Sequence, residues 1–463
     1  GRYLMYKINF QQPVHVHFIG IGGISMSGLA EILLKEGFRV SGSDNKESAL
    51  THHLENLGAA VFCGQKASNI ISGINVIIYT AAIREDNEEY QEAKRQGLPM
   101  LSRAELLGQL MTNYATPVAV SGTHGKTTTT SMLSHILLAG KKDPTISVGG
   151  ILKAIGGNIR VGGSEVFVTE ACEYTNSFLH FFPKISIILN IDADHLDFFK
   201  DLDDIRNSFR RFAALLPEDG TLIINGAIPD LDEITDGLRC RIITYGNDPS
   251  YCYSAGNISY NEMGEASFDL SKDGKYIDRI SLSVGGEHNV SNALAAIAAA
   301  GLLSVPPAAV REGLKDFRGT DRRFEYKGER DGVTIIDDYA HHPTEIRASL
   351  AAARNYPHRE LWCVFQPHTY TRTKALFPEF IDALADTDHV ILADIYAARE
   401  TDTLGITSEE LAKALRAKGC DAYYYPSFRE IEDFCVERCQ NGDLLITMGA
   451  GDVVNIGEEL LKR

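Results

Sequence analysis

The chain has 463 residues, of which 44% are hydrophobic and 23% are charged, values typical of a globular protein with room for about three domains. Its formal net charge of −17 argues against a nucleic-acid binder, whose affinity would come from neutralising phosphates. We find no apolar run of the roughly 20 residues that span a bilayer, and no secretory signal pattern, so we expect a cytoplasmic protein without membrane insertion. The eight cysteines form no Cys-x-x-Cys pair, and we expect reduced thiols.

The first segment, residues 1–113, has the pattern of a dinucleotide-binding βαβ unit. An apolar strand at residues 14–19 enters a glycine turn and an amphipathic helix, and a second strand runs from residue 39 to an acid about 20 residues beyond the turn. In such units the glycines let the backbone approach a phosphate, and the acid lies near a ribose. The residues with these expected roles are Gly20, Gly22, Gly23 and Asp44. The spacing predicts a nucleotide-phosphate site without distinguishing NAD from another nucleotide.

The second segment, residues 114–317, opens with the order of a P-loop. An apolar strand leads into a glycine turn, then Lys126 and Thr127, then an apolar helix, so backbone N–H groups and a helix N-terminus surround an anion. Lys126 can reach the outer phosphates of a nucleotide, and the Thr127 hydroxyl can bind Mg²⁺. The loop is a shortened variant, because Val120 stands where the usual pattern has its first glycine.

Strand and helix patterns alternate through the rest of the chain. In the second segment, strands are predicted at residues 166–169, 185–190 and 221–225, and helices at residues 203–216 and 293–303. In the third segment, residues 318–463, the predicted strands are 333–336, 361–365, 390–393 and 443–448, and the predicted helices are 344–354, 375–384, 408–418 and 428–439. This alternation predicts an α/β protein with a Rossmann-like N-terminal domain, a P-loop central domain with a mostly parallel sheet, and a Rossmann-like C-terminal domain.

Polar clusters follow two successive strands of the second segment. Glu170 and Glu173 come after the strand at residues 166–169, and a run of polar residues containing His195 follows the next strand. The carboxyl ends of strands beside a P-loop are where a second magnesium ligand belongs. Glu173 is therefore a candidate ligand of Mg²⁺, and His195 is a candidate metal ligand or phosphate contact.

Motifs along nearly the whole chain resemble those of the Mur ligase family. The resembling runs are residues 18–23 with 26–30, 122–128, 286–289 with 292–294, 322–325, 337–345, 366–373 and 449–452. The sequence Asp-Asp-Tyr-Ala-His-His-Pro at residues 337–343 is the most specific to the alanine-adding branch of that family. The resemblance implies an ATP-dependent ligase of peptidoglycan precursor synthesis, which joins L-alanine to the carboxylate of UDP-N-acetylmuramate through an acyl phosphate.

The resemblance also implies a role for each matching residue. The residues expected to hold ATP are Gly122, Thr123, His124, Gly125, Lys126, Thr127 and Thr128 at the phosphates, His288 and Asn292 at adenine, Arg323 at a phosphate and Asp338 at the ribose. Two Mg²⁺ ions are expected, with Thr127, Glu173 and His195 as ligands, and the implied catalytic residues are Lys126, Glu173 and His195. The residues expected to bind the substrates are Gly20, Gly22, Gly23, Ser27, Asp44 and Ser177, with Tyr339, His341 and Arg372 at the amino acid. Arg372 is the leading candidate for its carboxylate, since a guanidinium can pair in bidentate fashion.

The chain departs from the family pattern in two places. Cys172 and Thr175 stand where the usual acidic run has aspartates, so no metal-binding role is expected there. No lysine occurs between residues 201 and 219, where several sister ligases carry a carbamylated lysine, and Arg206, Arg210 and Arg211 occur instead. We therefore do not predict a carbamate.

Three alternatives account for part of the sequence. A murein-recycling ligase that attaches a peptide to the same sugar nucleotide shares most motifs, although its N-terminal turn usually differs from the one here. An NAD-dependent oxidoreductase would explain the first segment and leave the P-loop unexplained. A non-catalytic nucleotide-binding regulator would bind ATP without substrate-dependent phosphate release. For the ligase, the expected partners are UDP-N-acetylmuramate and L-alanine, and the expected state is a monomer or weak homodimer.

Overall fold

A computed structural model describes residues 5–155, 157–262, 264–319, 324–356 and 358–463. The chain divides into two compact units. The first unit comprises Gly1–Ile191, Asp203–Tyr245 and Ala295–Gly313, and the second comprises Asp192–Leu202, Gly246–Leu294 and Leu314–Arg463.

A parallel sheet near the N-terminus forms one part of the first unit. Its strands are β1 (His15–Ile19), β2 (Arg39–Asp44), β3 (Ala60–Cys63), β4 (Val76–Tyr79) and β5 (Met100–Ser102), and its helices are α1 (Ile24–Lys35), α2 (Ala49–Asn56), α3 (Glu88–Arg95) and α4 (Arg103–Met111). The strand order is β3-β2-β1-β4-β5, with parallel pairing throughout. Strand β1 is central and buried at every residue, and the order reverses beside it, which is where α/β sheets bind ligands.

A second sheet of the first unit carries the P-loop. Its strands are β6 (Thr116–Ser121), β7 (Thr145–Leu152), β8 (Gly157–Arg160), β9 (Val166–Ala171), β10 (Ile185–Ile188), β11 (Thr221–Asn225) and β12 (Arg241–Gly246), and the helices of this region are α5 (Lys126–Ala139), α6 (Leu202–Ala213) and α7 (Leu231–Thr235). The order is β12-β11-β10-β6-β9-β7-β8, parallel except for β7 with β8. Because β9 and β10 flank β6, the segments after these three strands leave the same edge of the sheet.

The second unit contains an antiparallel part and a mostly parallel sheet. The antiparallel strands are β13 (Tyr253–Tyr260), β14 (Glu265–Lys272) and β15 (Lys275–Gly285). After α8 (Glu287–Leu302) and α9 (Pro307–Asp316), the elements are β16 (Glu325–Arg330), β17 (Val333–Asp338), α10 (Pro343–Asn355), β18 (Leu361–Phe365), α11 (Tyr370–Ala375), α12 (Phe377–Leu384), β19 (His389–Leu392), α13 (Ser408–Ala417), β20 (Asp421–Tyr424), α14 (Phe428–Arg438), β21 (Leu444–Met448) and α15 (Val454–Lys462). The sheet order is β16-β17-β21-β18-β19-β20, and only β16 pairs antiparallel.

Strand β18 shows why the strands of this sheet appear in the sequence as continuous apolar runs. Its odd residues Leu361, Cys363 and Phe365 belong to one buried cluster, and its even residues Trp362 and Val364 belong to another. Successive side chains of a strand point to opposite faces, so both faces of this sheet are covered. A strand of a parallel sheet that is buried on both faces has no polar side to alternate with, which is what its sequence shows.

The predicted α/β class with mostly parallel sheets is confirmed, although several elements were not predicted, among them the short strands β3, β5 and β20. Strands β13, β14 and β15 were not predicted, because buried and more exposed residues are mixed along them, without the apolar runs that marked the predicted strands. The helix predicted at residues 375–384 is α12, Phe377–Leu384. A further helix that was not predicted, α11, precedes it; the two meet at Leu376, and Pro378 lies in the first turn of α12. Proline is compatible with a helix start but not with a helix interior. Within the described residues, no helix is both long and apolar enough to cross a membrane.

Candidate active site

The P-loop connects β6 to α5 through two glycines with left-handed backbone angles. Gly122 has φ +146° and Gly125 has φ +86°, conformations that favour glycine. A Cβ at Gly122 would lie 2.9 Å from the Cβ of Leu189, so a larger residue there would also clash. Helix α5 begins at Lys126 and runs for 14 residues, and the N–H groups of its first turn have the orientation that binds phosphate.

Asn190 fixes the P-loop from the end of the neighbouring strand. Its side-chain Oδ1 accepts the His124 N–H at 2.7 Å, and its Nδ2 donates to the His124 carbonyl at 2.9 Å. The main-chain carbonyl of Asn190 also accepts the Thr123 N–H at 3.2 Å. The sequence analysis assigned Asn190 no role, although it opens the polar run after β10. These contacts identify it as the residue that sets the path of the loop.

Lys126 lies beside the buried carboxylate of Glu173. Its Nζ donates to the Gly122 carbonyl at 2.6 Å and lies 3.4 Å from Glu173 Oε2. Burial acts to lower the pKa of Lys126, but the negative charges of Glu173 and Glu170 outweigh it, and the pKa is raised above its usual value. The lysine is therefore firmly cationic. Strands β6 and β9 thus bring together the two residues that the sequence predicted at adjacent strand ends.

The residues that replace the family's aspartates have contacts of their own. Cys172 accepts the Phe178 N–H at its carbonyl (3.0 Å), and burial raises the pKa of its thiol, although the charge of Lys126 opposes this. Thr175 has φ +54° and its hydroxyl lies 3.2 Å from that of Ser177, which itself donates to the Tyr174 carbonyl at 3.0 Å. Neither replacement supplies a carboxylate, as the sequence indicated.

Helix α6 carries arginines where several sister ligases carry a modified lysine, and one of them, Arg206, makes structural contacts. Arg206 donates to the Asp230 carbonyl at 3.0 Å and to Glu233 at 3.2 Å. A guanidinium cannot form a carbamate, and this one is occupied in a structural contact. The structure therefore offers no counterpart of the modified lysine on α6.

The glycine turn after β1 is held by β2. The N–H groups of Gly20 and Ile21 both donate to the Ser43 carbonyl at 2.9 Å, and the Gly22 N–H donates to Asp44 Oδ2 at 2.8 Å. A Cβ at Gly22 would lie 2.7 Å from that oxygen, so this glycine permits the close approach. Asp44 thus lies at the turn and shapes it directly, and its role at the substrate stays a prediction.

Two other residues near this turn, Gly23 and Ser27, make hydrogen bonds within the start of α1. Gly23 precedes the first residue of α1, and the Ser27 N–H donates to its carbonyl at 2.8 Å. The Ser27 side chain is buried and donates to the Ile24 carbonyl at 2.9 Å. Its hydroxyl is therefore used within its own helix, and its predicted substrate role stays a prediction.

A buried polar network lies beneath the turn. His17 Nε2 donates to Glu89 Oε1 at 2.9 Å, and Glu89 also accepts the hydroxyl of Ser43. Both His17 and Glu89 are fully buried, and Ser41 connects His17 to His15 through its hydroxyl, 2.7 Å from each ring. The Ser43 carbonyl accepts the N–H groups of the glycine turn. By binding the Ser43 side chain, the His17–Glu89 pair therefore fixes the part of β2 that holds the turn.

In the second unit, the residues predicted to bind the amino-acid substrate lie near one another. Arg372 directs Nε and Nη2 at the same oxygen of Asp194, at 3.1 and 3.0 Å. Although burial acts to raise it, the pKa of Asp194 is lowered to about 2 by the charge of Arg372 and, less strongly, of His195. The rings of Tyr339 and His341 meet edge to face at 5.4 Å. Burial, with a contribution from Arg372, lowers the pKa of His341 to about 4, despite the opposing charge of Glu345 and Asp194.

The Asp-Asp-Tyr-Ala-His-His-Pro run starts helix α10 and contacts the loop after Asp192. His342 Nε2 donates to the Ala193 carbonyl at 2.8 Å, while its Nδ1 accepts the Thr344 N–H at 3.2 Å. The Thr344 hydroxyl donates to Asp192 at 2.7 Å. His195 belongs to this loop, with φ +51° and its Nε2 3.9 Å from Asp194 Oδ2. These contacts order the loop that carries His195, one of the expected site residues.

Two of the other predicted nucleotide contacts, Asp338 and Asn292, make hydrogen bonds within the second unit. Asp338 is buried, and its carboxylate accepts the N–H groups of Phe324 (3.0 Å) and Ala340 (2.8 Å) and the hydroxyl of Ser349 (2.9 Å). Asn292 Nδ2 lies 3.5 Å from Asn289 Oδ1. Their roles at the ribose and at adenine stay predictions.

The remaining predicted contacts are a histidine and an arginine. The ring of His288 lies over Gly286, where a Cβ would approach it to 2.5 Å. Arg323 lies outside the described residues, so its expected role at a phosphate stays a prediction.

The strand, glycine turn and helix around Lys126, with a buried carboxylate beside the lysine, define a P-loop α/β protein of the kind that binds nucleotide phosphates. Family models agree and go further. The model of the Mur ligase family catalytic domain matches residues 15–115, that of the Mur ligase middle domain residues 120–300, and that of the Mur ligase glutamate ligase domain residues 322–451. The chain belongs to the Mur ligase family.

Individual relatives cover the chain from end to end. The chain is 60% identical over 459 residues to a UDP-N-acetylmuramate–L-alanine ligase of Agathobacter rectalis, covering 99% of this chain and 100% of that protein. The crystal structure of a UDP-N-acetylmuramate–alanine ligase from Thermotoga maritima matches with a TM-score of 0.77 at 30% identity, covering 97% of this chain and 99% of that one. A murein peptide ligase from Psychrobacter arcticus matches with a TM-score of 0.67 at 25% identity, covering 97% and 98%.

Proposed function

We propose that this protein is an ATP-dependent ligase that joins L-alanine to the carboxylate of UDP-N-acetylmuramate in peptidoglycan precursor synthesis. The observation that carries this proposal is the 60% identity, over 99% of the chain, to a relative named for that reaction. The match to a murein peptide ligase is weaker, at 25% identity. Membership of the Mur ligase family lends no support to the oxidoreductase alternative and accounts for the P-loop.

The reaction proceeds in two steps that share one need, neutralisation of charge. An oxygen of the substrate carboxylate forms a bond to the γ-phosphorus of ATP while the bond to ADP breaks, which gives an acyl phosphate. The amine of L-alanine then attacks the acyl carbon, a tetrahedral intermediate forms, and phosphate leaves as the amide forms. Two anions must approach each other in the first step, so positioned cations and N–H groups contribute most of the catalysis. Lys126 and the N–H groups of the P-loop supply them at the β- and γ-phosphates.

The donors around the P-loop suit Mg²⁺. Thr127 contributes a hydroxyl and Glu173 a carboxylate, and such hard oxygen ligands are those that magnesium prefers. We assign Thr127 and Glu173 to one ion and Glu173 with His195 to a second. A Mg²⁺ ion held by these residues would supply positive charge to the transferring phosphoryl group. Glu173 has a further role of its own, because it holds Lys126 in place at 3.4 Å.

We assign one substrate to each predicted domain. Residues 1–113 hold the UDP part through the glycine turn and Asp44, residues 114–317 hold ATP, and residues 318–463 hold L-alanine and part of ATP. Arg372 binds the carboxylate of L-alanine, and Tyr339 and His341 line its pocket. A monomer or weak homodimer in the cytoplasm is expected.

The test is phosphate release from ATP and Mg²⁺ with UDP-N-acetylmuramate, with single amino acids added in turn. Release that needs both the sugar nucleotide and L-alanine, together with a new UDP-linked product, is the expected result. Release that needs a peptide such as L-alanyl-γ-D-glutamyl-diaminopimelate would assign the chain to the murein-recycling ligases instead. ATP binding without release under any condition would indicate a nucleotide-binding regulator and refute the ligase proposal.

A further inference from the structure

Glu400 lies outside every motif that the sequence analysis identified, yet it holds the first turn of helix α11. Its Oε1 accepts the N–H groups of Tyr370 (2.5 Å) and Thr371 (3.1 Å), and its Oε2 accepts the hydroxyl of Thr371. One carboxylate thus satisfies two of the N–H groups that a helix leaves unpaired at its start. Its negative charge also suits the positive end of the helix.

The loop that carries Glu400 is fixed to the segment before α11 by main-chain contacts. Thr369 donates its N–H to the Tyr396 carbonyl at 2.8 Å, and Tyr396 donates its N–H to the Pro367 carbonyl at 2.9 Å. Thr369 has φ +66°, an uncommon conformation for a β-branched residue, so the surrounding contacts must hold it. The side chain of Thr369 accepts the Arg372 N–H at 3.3 Å. Glu400 therefore holds the strained N-terminal turn of α11, and Arg372 is the third residue of that helix.

The guanidinium of Arg372 uses some of its N–H donors in contacts that hold the side chain, and others remain. A guanidinium has five N–H donors. Among the described residues, three are used, by Asp194 Oδ1 for Nε and Nη2 and by the His368 carbonyl for Nη1 at 3.3 Å. Two donors remain, which is the number that a carboxylate accepts in a bidentate pair. The direction of these two donors depends on where the main chain of α11 places the side chain.

We propose that Glu400 is a positioning residue for the amino-acid substrate, which sets the affinity for L-alanine by fixing the start of α11 and with it Arg372. This inference rests on the proposed function, in which Arg372 binds the carboxylate of L-alanine. Glu400 makes no contact with the reacting atoms in this scheme. Loss of its carboxylate therefore loosens Arg372 and weakens L-alanine binding, while the steps at ATP and UDP-N-acetylmuramate are unchanged.

The test is steady-state kinetics of the full-length protein, with each of the three substrates varied in turn. Glu400→Ala is expected to raise the KM for L-alanine about 10-fold, the equivalent of one hydrogen bond to a charged group, and to change kcat and the other two KM values less than about 2-fold. Glu400→Gln keeps an oxygen for both N–H groups and is expected to restore most of the affinity. Thr371→Val removes only the hydroxyl contact and is expected to raise the KM for L-alanine about 3-fold.

Controls separate this inference from a general loss of folding and from the proposed function. Glu379→Ala removes an exposed glutamate from α12 and is expected to leave all constants unchanged. If Glu400→Ala does not fold, Thr371→Val and Glu400→Gln carry the comparison. An unchanged KM for L-alanine in Glu400→Ala, or an equal change for all three substrates, would overturn the positioning role. A wild-type protein without L-alanine-dependent phosphate release would instead refute the proposed function, and the positioning role with it.

Discussion

The contact between Lys126 and Glu173 leads to a prediction that separates stability from turnover. Lys126→Met removes the cation and keeps most of the side-chain volume, and it leaves the carboxylate of Glu173 buried without that cation. Glu173→Gln removes the opposite charge. The double variant removes both charges together. We expect each single variant to be destabilised and the double variant to recover part of the loss, while all three lose turnover.

The expected coupling follows from the geometry of the pair. Two unit charges 3.4 Å apart interact by about 5 kcal/mol at an effective dielectric constant of about 20. The desolvation of both groups offsets a large part of this energy, because the Lys126 side chain is 17% exposed and that of Glu173 only 2%. We therefore expect a coupling free energy of about 2–3 kcal/mol in a double-mutant cycle.

Differential scanning calorimetry and phosphate release provide the two readouts. In a domain of about 200 residues, a loss of 2–3 kcal/mol lowers the midpoint of unfolding by about 4–12 °C. For turnover, loss of a positioned charge at the phosphates is expected to lower kcat by about 100-fold or more in every variant that lacks Lys126. The coupling would be refuted if the decrease in midpoint of the double variant equalled the sum of the decreases of the two single variants. Near-normal turnover in Lys126→Met would refute the assignment of this lysine to the phosphates.

Three further changes test the residues that hold the site. Asn190→Leu removes both side-chain hydrogen bonds to His124, so we expect the Kd for ATP, measured with a fluorescent ATP analogue, to rise about 10-fold; an unchanged Kd would contradict this. Glu89→Gln weakens a fully buried contact to His17, which should cost about 1–3 kcal/mol and lower the calorimetric midpoint, while unchanged unfolding would show that the network does not support the fold. Because the folded-state pKa of His341 is lowered to about 4, its stability contribution is complete above about pH 6.5 and is lost as the pH falls towards 4. His341→Gln should therefore leave the pH profile of kcat/KM for L-alanine unchanged in shape from pH 6 to 8, and loss of an inflection in that range would contradict a neutral His341.

The parts of the fold that could be predicted are those buried on both faces. Strands such as β18 are continuous apolar runs, and the segments that leave them begin with glycines or polar residues, so both their existence and their ends are visible in the sequence. Strands β13 to β15 mix polar with apolar residues and are buried at only some positions, and this pattern was not recognised. The break between α11 and α12 depends on where Pro378 falls within a turn, which an apolar pattern alone does not indicate.

The site shows the same division between what the chain makes visible and what the fold creates. Lys126 and Glu173 could be placed together because each follows a strand, and parallel strands end at one edge of a sheet. The pairing of Asp194 with Arg372 joins residues 178 positions apart, and no local pattern relates them. Glu400 precedes no recognisable motif, and only the path of its loop brings it to the start of α11.

The residues that the sequence analysis missed share one chemical task. Asn190, Asp194, Glu89 and Glu400 each present oxygen atoms to donors on a residue that was predicted to act on substrate or on the strand or helix that carries it. Such acceptors are needed because the residues that they hold lie in loops, at the end of a strand such as β2, or in the first turn of a helix such as α11, where the hydrogen bonds of regular structure do not fully fix the main chain. An acceptor can come from any part of the chain that the fold brings near, so its position is free of the spacing that makes a motif recognisable. The motif residues therefore indicate which reaction the site can perform, while we expect the acceptors that hold them to set how well each substrate is bound.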